Sequence, residues 1–267
     1  MAAAVTAIGA YLGRVSLAVE HLGDAKQPRL VLVHGFTQTG RSWSQIATDL
    51  ARDRLVVLVD APGHGASALT RTDLRAGAAL LGRVGGEAVY VGYSMGGRLA
   101  LHLAVARPDL VRALVLVGAT AGIEDDEERD ARRVADARLA DDIERDGVDA
   151  FLTRWLAQPL FASLPRDEAA LDERRRNTPE GLASSLRLAG TGSQQPLWGV
   201  LRSLAMPVLV VAGDRDAKYV ALGHKLAMGI GENARFAAVP DAGHAAHLEQ
   251  PARFVALVRE WFAEINR

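Results

Sequence analysis

There is no cysteine among the 267 residues. That excludes disulfides, thiolate metal sites and a cysteine nucleophile, and it fits a reducing cytoplasm. Neither sign of charge is in excess: 31 Lys and Arg against 32 Asp and Glu leave a net charge of −1. Nothing in that balance points to nucleic acid or a membrane surface. No apolar run reaches the roughly 20 residues that span a bilayer. Residues 1–10 are Ala-rich without a basic start or a long apolar centre, so no signal peptide is expected. No repeat recurs at solenoid spacing. No metal-ligand cluster, cofactor motif or obligate protein partner suggests itself. What is present is ordinary for a globular chain, 49% hydrophobic and 24% charged. The length suits one α/β unit with a large core.

The most informative stretch is Val89-Tyr90-Val91-Gly92-Tyr93-Ser94-Met95-Gly96-Gly97-Arg98-Leu99. A β-branched apolar run enters Gly-x-Ser-x-Gly and a helix-forming run leaves it, which is the order of a nucleophile elbow. So sharp a turn crowds its neighbours, so Gly92 and Gly96 must lack a Cβ. The turn lifts the Ser94 hydroxyl into open space. It also frees the Met95 N–H at a helix N-terminus, facing any oxyanion that forms. The alternative is a strand-to-helix turn that happens to contain serine, so the rest of the chain must supply the partners.

Residues 5–19 alternate around Gly9 and Gly13, which suggests an edge hairpin. Residues 30–33, 55–59, 89–93, 114–117, 207–213 and 235–239 read as strands, most of them covered on both faces. Helical patterns carrying Trp43, Ile46 and Leu50, and spanning 73–82 and 98–106, alternate with them, so the sheet is mostly parallel. After Gly118 the alternation stops. The charged run 124–149 and the pieces 151–155, 167–176 and 181–188 are helical, and no strand follows until Pro207. About 80 residues is too long for a plain connection. The expected organisation is therefore an α/β core of residues 1–120 and 205–267 with a helical cap of 121–204. An amphipathic helix carrying Phe254, Val258, Trp261 and Phe262 closes the chain. The Gly-rich piece 223–231 is left without assignment.

His34-Gly35-Phe36 follows the first buried strand, where this architecture places a second oxyanion donor; the Phe36 N–H takes that role. His34 reads as a pin for its own loop. Asp60 and His64 precede the elbow and read as loop-fixing residues. After the elbow come two acids, Asp214 and Asp216, and then Gly243-His244. Ser94, an acid after a late strand, then His244 is the triad order of α/β-hydrolases. Imidazole takes the serine proton, and the carboxylate holds the imidazole tautomer. Asp216 is preferred, because its side chain must clear the strand end to reach His244; Asp214 is the runner-up. His247 reads as packing.

Together, His34-Gly35-Phe36, Asp60-x-Pro62-Gly63-His64-Gly65-x-Ser67, the elbow and Gly243-His244 resemble the α/β-hydrolase superfamily across nearly the whole chain. A narrower set is similar to the synthases of 2-succinyl-6-hydroxy-2,4-cyclohexadiene-1-carboxylate (SHCHC) in the menaquinone pathway. It comprises Trp155-x-x-Gln158-Pro159-x-Phe161-Ala162-Ser163-Leu164, Arg174-x-x-Asn177, Leu182-Ala183, Gln195-Pro196-Leu197 and Gly213-x-Arg215-Asp216-x-Lys218-Tyr219. The resemblance implies a lyase that eliminates pyruvate from a cyclohexene polycarboxylate, with Ser94 as general base. It also implies three substrate-binding arginines: Arg98, Arg132 and Arg174, with Arg129, Arg133, Arg175 and Arg176 as close neighbours. Tyr93 and Trp155 would line the pocket. A carboxylesterase or C–C bond hydrolase of the same fold, and a non-catalytic ligand-binding protein, are the alternatives.

Overall fold

Unbroken runs of valine and leucine need cover on both faces, and a parallel sheet between helical layers provides it. The computed structural model describes residues 16–265. These hold seven strands, β1 (Val19–Leu22), β2 (Arg29–Val33), β3 (Leu55–Val59), β4 (Ala88–Tyr93), β5 (Val111–Val117), β6 (Val208–Gly213) and β7 (Ala234–Val239). They form one sheet in the order β1-β3-β2-β4-β5-β6-β7. β1 is antiparallel to β3, and the other pairings are parallel. The α-helices are α1 (Ser44–Leu50), α2 (Leu74–Gly85), α3 (Met95–Ala106), α4 (Asp126–Leu156), α5 (Glu168–Arg175), α6 (Pro179–Ala189), α7 (Ala217–Ile230), α8 (Ala246–Glu249) and α9 (Pro251–Ile265). Among the described residues no helix is long and apolar enough to cross a membrane.

Alternate strand residues feed two cores. Val31, Val33, Val57 and Val59 pack with α2 and α3. Leu30, Leu32, Val56 and Leu58 pack with α1 and α9. The chain leaves β2 for β3 on one side and returns to β4 on the other. That reversal opens a crevice at the carboxyl ends of β2 and β4, where open α/β sheets bind ligands.

Two elements differ from expectation, and a third falls where little is described. The hairpin over 5–19 lies almost wholly outside the described residues; Val19 opens β1, an edge strand. The helices expected at 124–149 and 151–155 are one assigned span, α4, broken at Gly147 (φ 80°). The unassigned stretch 223–231 falls largely within α7. Its Gly223 is packed so tightly on the Phe236 ring that a side chain would collide.

Between β5 and β6, α4 and α6 enclose a small core of Ala140, Ile143, Phe151, Leu182, Ala183 and Leu186, against which Phe36 packs. The helices start as their sequences dictate. Asp125 accepts from the Glu128 N–H, and Thr178, with Pro179 after it, accepts from the Gly181 N–H.

Two buried histidines pin the loops that end β2 and β3. His34 Nδ1 is 2.7 Å from the Gly35 carbonyl oxygen, and its Nε2 accepts from the Ala61 N–H at 3.0 Å. His64 Nδ1 is 2.9 Å from the Pro62 oxygen, and its Nε2 accepts from the Thr37 N–H at 3.3 Å. Asp60 accepts from the Gly40 and Ala66 N–H groups. Burial pulls His34 down to about 4 and His64 to about 3, so both are neutral acceptors at pH 7.

Two outcomes are expected. A Cβ on Gly96 would strike the backbone carbonyls of Val33 and His34. Gly96→Ala therefore costs at least about 1–3 kcal/mol, read as a lower urea midpoint; an unchanged midpoint contradicts this packing. The second concerns pH. The unfolded chain binds protons near pH 6.5 that folded His34 and His64 refuse, so stability falls as pH drops below that value. From pH 7 to 5, above the carboxylate range, each histidine removes about 2 kcal/mol. Equal urea midpoints at the two pH values would refute it.

Candidate active site

Ser94 sits between β4 and α3 with φ 49° and ψ −106°, outside the ordinary regions for an L-residue. Its N–H donates to the Val117 carbonyl at 2.8 Å, and its own carbonyl accepts from the Arg98 N–H at 3.0 Å. A side chain on Gly92 would meet the Gly96 backbone, and one on Gly97 would meet the Ala119 methyl at 2.6 Å. The turn is possible only because these positions are bare. Met95 is the first residue of α3, so its N–H has no intrahelical acceptor.

β7 delivers the histidine. After Asp241 (φ 60°) and Gly243, His244 Nδ1 lies 2.8 Å from Asp216 Oδ2, and Nε2 lies 3.4 Å from Ser94 Oγ. The second distance is the long end of hydrogen-bond reach, of the kind that tightens in a Michaelis complex. Asp216 also caps α7, its Oδ1 accepting from the Tyr219 N–H at 3.2 Å. Asp214 is exposed. His244 and Asp216 are both buried, and the Tyr219 ring lies tilted against the imidazole, 4.3 Å between centroids. Gly118 runs beneath the ring, where a Cβ would come within 3.0 Å of Cε1.

One support of the site leaves almost no trace in the sequence. Glu249 accepts from the Gly243 N–H at 2.6 Å and from the Ala245 N–H at 3.0 Å, bracketing His244. Its only trace in the sequence is an acid five residues after Gly-His. His247 packs behind the site between the rings of Trp43 (4.1 Å) and Tyr93 (4.5 Å). Burial holds it far below its usual range, hence neutral.

The His34-Gly35-Phe36 loop abuts the elbow: a Cβ on Gly35 would sit 2.6 Å from the Tyr93 ring. Among the described residues Phe36 donates no backbone loop hydrogen bond. Its N–H and that of Met95 are therefore available donors at adjoining turns.

Arg98 and Arg174 are both buried, at 7% and 6% exposure. Arg98 Nη1 donates to the Ala189 carbonyl at 2.8 Å, and Arg174 Nη1 donates to Thr37 Oγ1. Among the described residues neither has a carboxylate within ion-pair distance. Burial lowers both to about 10, which leaves them charged at neutral pH. Arg132 is half-exposed; its Nε donates to Asp136 at 2.7 Å, and that buried carboxylate also accepts from the Gly192 N–H. Arg98 and Arg132 lie within electrostatic reach of each other and of Tyr219, while Arg174 acts on Tyr93. The alternatives Arg129, Arg133, Arg175 and Arg176 instead pair with Asp126, Asp130, Asp149 and Glu173. Trp155 meets Phe36 edge-on at 5.3 Å and Phe161 at 5.6 Å, roofing the crevice.

The Alpha/beta hydrolase family profile matches residues 30–257. A Bacillus subtilis (strain 168) protein, provisionally named a 2-succinyl-6-hydroxy-2,4-cyclohexadiene-1-carboxylate synthase, is 36% identical over 94% of this chain and 96% of its own. A Citrobacter koseri protein with that synthase name is 34% identical over 87% of this chain and 93% of its own. The solved structure of MenH from S. aureus superposes with a TM-score of 0.88 at 27% identity, covering 93% of this chain and 99% of that one. The chain belongs to the alpha/beta hydrolase family, in the branch that holds the 2-succinyl-6-hydroxy-2,4-cyclohexadiene-1-carboxylate synthases.

Proposed function

We propose that this chain is an SHCHC synthase. It is a carbon–oxygen lyase that eliminates pyruvate from 2-succinyl-5-enolpyruvyl-6-hydroxy-3-cyclohexene-1-carboxylate in menaquinone biosynthesis. The observation that carries the reading is the pair of buried arginines, Arg98 and Arg174, left without carboxylate partners beside a complete Ser94-His244-Asp216 chain. Burying a guanidinium without a counter-ion is costly. A substrate with several carboxylates supplies the missing charge, and Arg forks match carboxylates well. Arg132, its Nε engaged by Asp136, offers its remaining N–H groups as a third contact.

His244 draws the proton from Ser94 Oγ, and the oxygen takes a proton from a C–H of the substrate beside a carbonyl. Asp216 holds the imidazole tautomer and steadies the imidazolium. The electron pair collects on the carbonyl oxygen as an enolate. The N–H groups of Phe36 and Met95 meet that oxygen, each contributing about 2.7–4 kcal/mol by analogy with other oxyanion donors. The enolate then collapses, the ring C–O bond breaks, and pyruvate departs as its enolate, which takes up the proton held on His244 and so restores the neutral imidazole. No acyl-enzyme forms. Residues 121–204 serve as a cap that carries Arg132, Trp155 and Arg174 over the crevice. No nucleic-acid, membrane or obligate protein partner enters the reaction, and the cysteine-free composition supports a cytoplasmic setting.

Esterases use the same triad with Ser94 as nucleophile, and a receptor on this fold would bind without turnover. Pyruvate release separates these readings. Ser94→Ala abolishes pyruvate release from the enolpyruvyl substrate while the circular dichroism spectrum stays unchanged; an undiminished rate would end the triad reading. Arg98→Ala lowers kcat/KM by about 10- to 100-fold, the loss of one hydrogen bond to a charged group. Unaltered kcat and KM would remove the polycarboxylate argument.

A further inference from the structure

Thr37, directly after Phe36, is buried and held at φ 69°. A β-branched residue in the left-handed region is strained, and such strain persists only where the surroundings over-determine it. Here every polar group of the residue is taken. Its N–H donates to His64 Nε2 at 3.3 Å, its Oγ1 accepts from Arg174, and its carbonyl accepts from Asn177 Nδ2 at 2.9 Å. The Asn177 amide does more. Nδ2 also donates to the Arg174 carbonyl at 2.9 Å, and Oδ1 accepts from the Gly65 N–H at 2.9 Å. One buried side chain just past α5 thereby ties the loops after β2 and β3 together and holds the carbonyl of Arg174. Pyruvate elimination as derived above gives Asn177 no task.

We propose that Asn177 is a positioning residue for the oxyanion hole, clamping strained Thr37 so that the neighbouring Phe36 N–H faces the enolate oxygen. The inference rests on the reading of Phe36 as an oxyanion donor. Thr37 cannot relax to negative φ without turning the peptide plane that carries the Phe36 carbonyl, and the Phe36 backbone, whose N–H lies one plane further back, shifts with it. The donor pair is therefore complete only while the segment following α5 rests on the loop.

The test is a double-variant cycle with a readout that needs no substrate. Asn177→Ala lowers kcat for pyruvate release by about 10- to 100-fold, the range for a misaimed donor, with the smaller change in KM. In a Thr37→Gly background, where glycine holds positive φ without strain, the same Asn177→Ala change costs less than about 3-fold. Hydrogen exchange of the Thr37 and Gln38 amides accelerates in Asn177→Ala, measured by mass spectrometry on the folded protein. Asn177→Asp, which keeps the acceptor for Gly65 and loses the donor to Thr37, behaves as the alanine variant and serves if that variant does not fold. Equal losses in both backgrounds, or unchanged exchange, would overturn the proposal. Should wild-type protein release no pyruvate, the synthase reading fails and exchange alone decides whether Asn177 clamps the loop.

Discussion

The site depends on a contact with no spare room: the backbone of Gly96 resting on the carbonyls of Val33 and His34. It presses the N-terminus of α3 against the end of β2, and two loops distant in sequence become neighbours there. Thr37, Ser94 and Asp241 are the non-glycine residues with positive φ among those described, and each borders the site. Ser94 is the elbow itself, Thr37 follows Phe36, and Asp241 begins the turn to His244. Strain gathered at functional turns is offset by well-packed surroundings, here two dense cores on either face of the sheet.

Charge is arranged on the same principle. The acids of the site are already occupied, Asp216 by His244 and Glu249 by the backbone beside it. Asp136 answers Arg132. What is left over is positive and buried, Arg98 against the Ala189 carbonyl and Arg174 against Thr37. Neutral histidines complete the pattern: His34, His64 and His247 are kept uncharged by burial, so none adds a competing cation. That surplus of buried positive charge is what the proposed polycarboxylate substrate would answer, with Phe161 and Trp155 in ring contact beside it.

Much of this was legible in the sequence because the signals are local. Continuous β-branched runs mark the inner strands, and Gly-x-Ser-x-Gly marks the elbow. The Asp216 position follows from the reach needed past a strand end, and in the structure Asp216 is the acid that meets His244. Part of what stayed hidden depends on distance along the chain. Asn177 meets Thr37 across 140 positions, and Arg174 meets it across 137. No periodicity carries such a contact. The helix α7 is obscured by Gly223 and Gly229, both poor helix formers; in the fold they allow close approach to Phe236 and Leu201. The break at Gly147 was equally silent, since charge and helical spacing continue through it. Glu249 escaped notice because its partners are backbone amides, which no side-chain pattern reveals.

In the proposed reaction Ser94 removes a proton rather than attacking a carbonyl. Turnover in water enriched in oxygen-18, with mass analysis of the ring product, distinguishes these two chemistries directly. Elimination predicts a cyclohexadiene product with no heavy oxygen in its carboxylates. A carboxylate carrying one heavy oxygen would mean that water had opened an acyl-enzyme, and it would contradict the account.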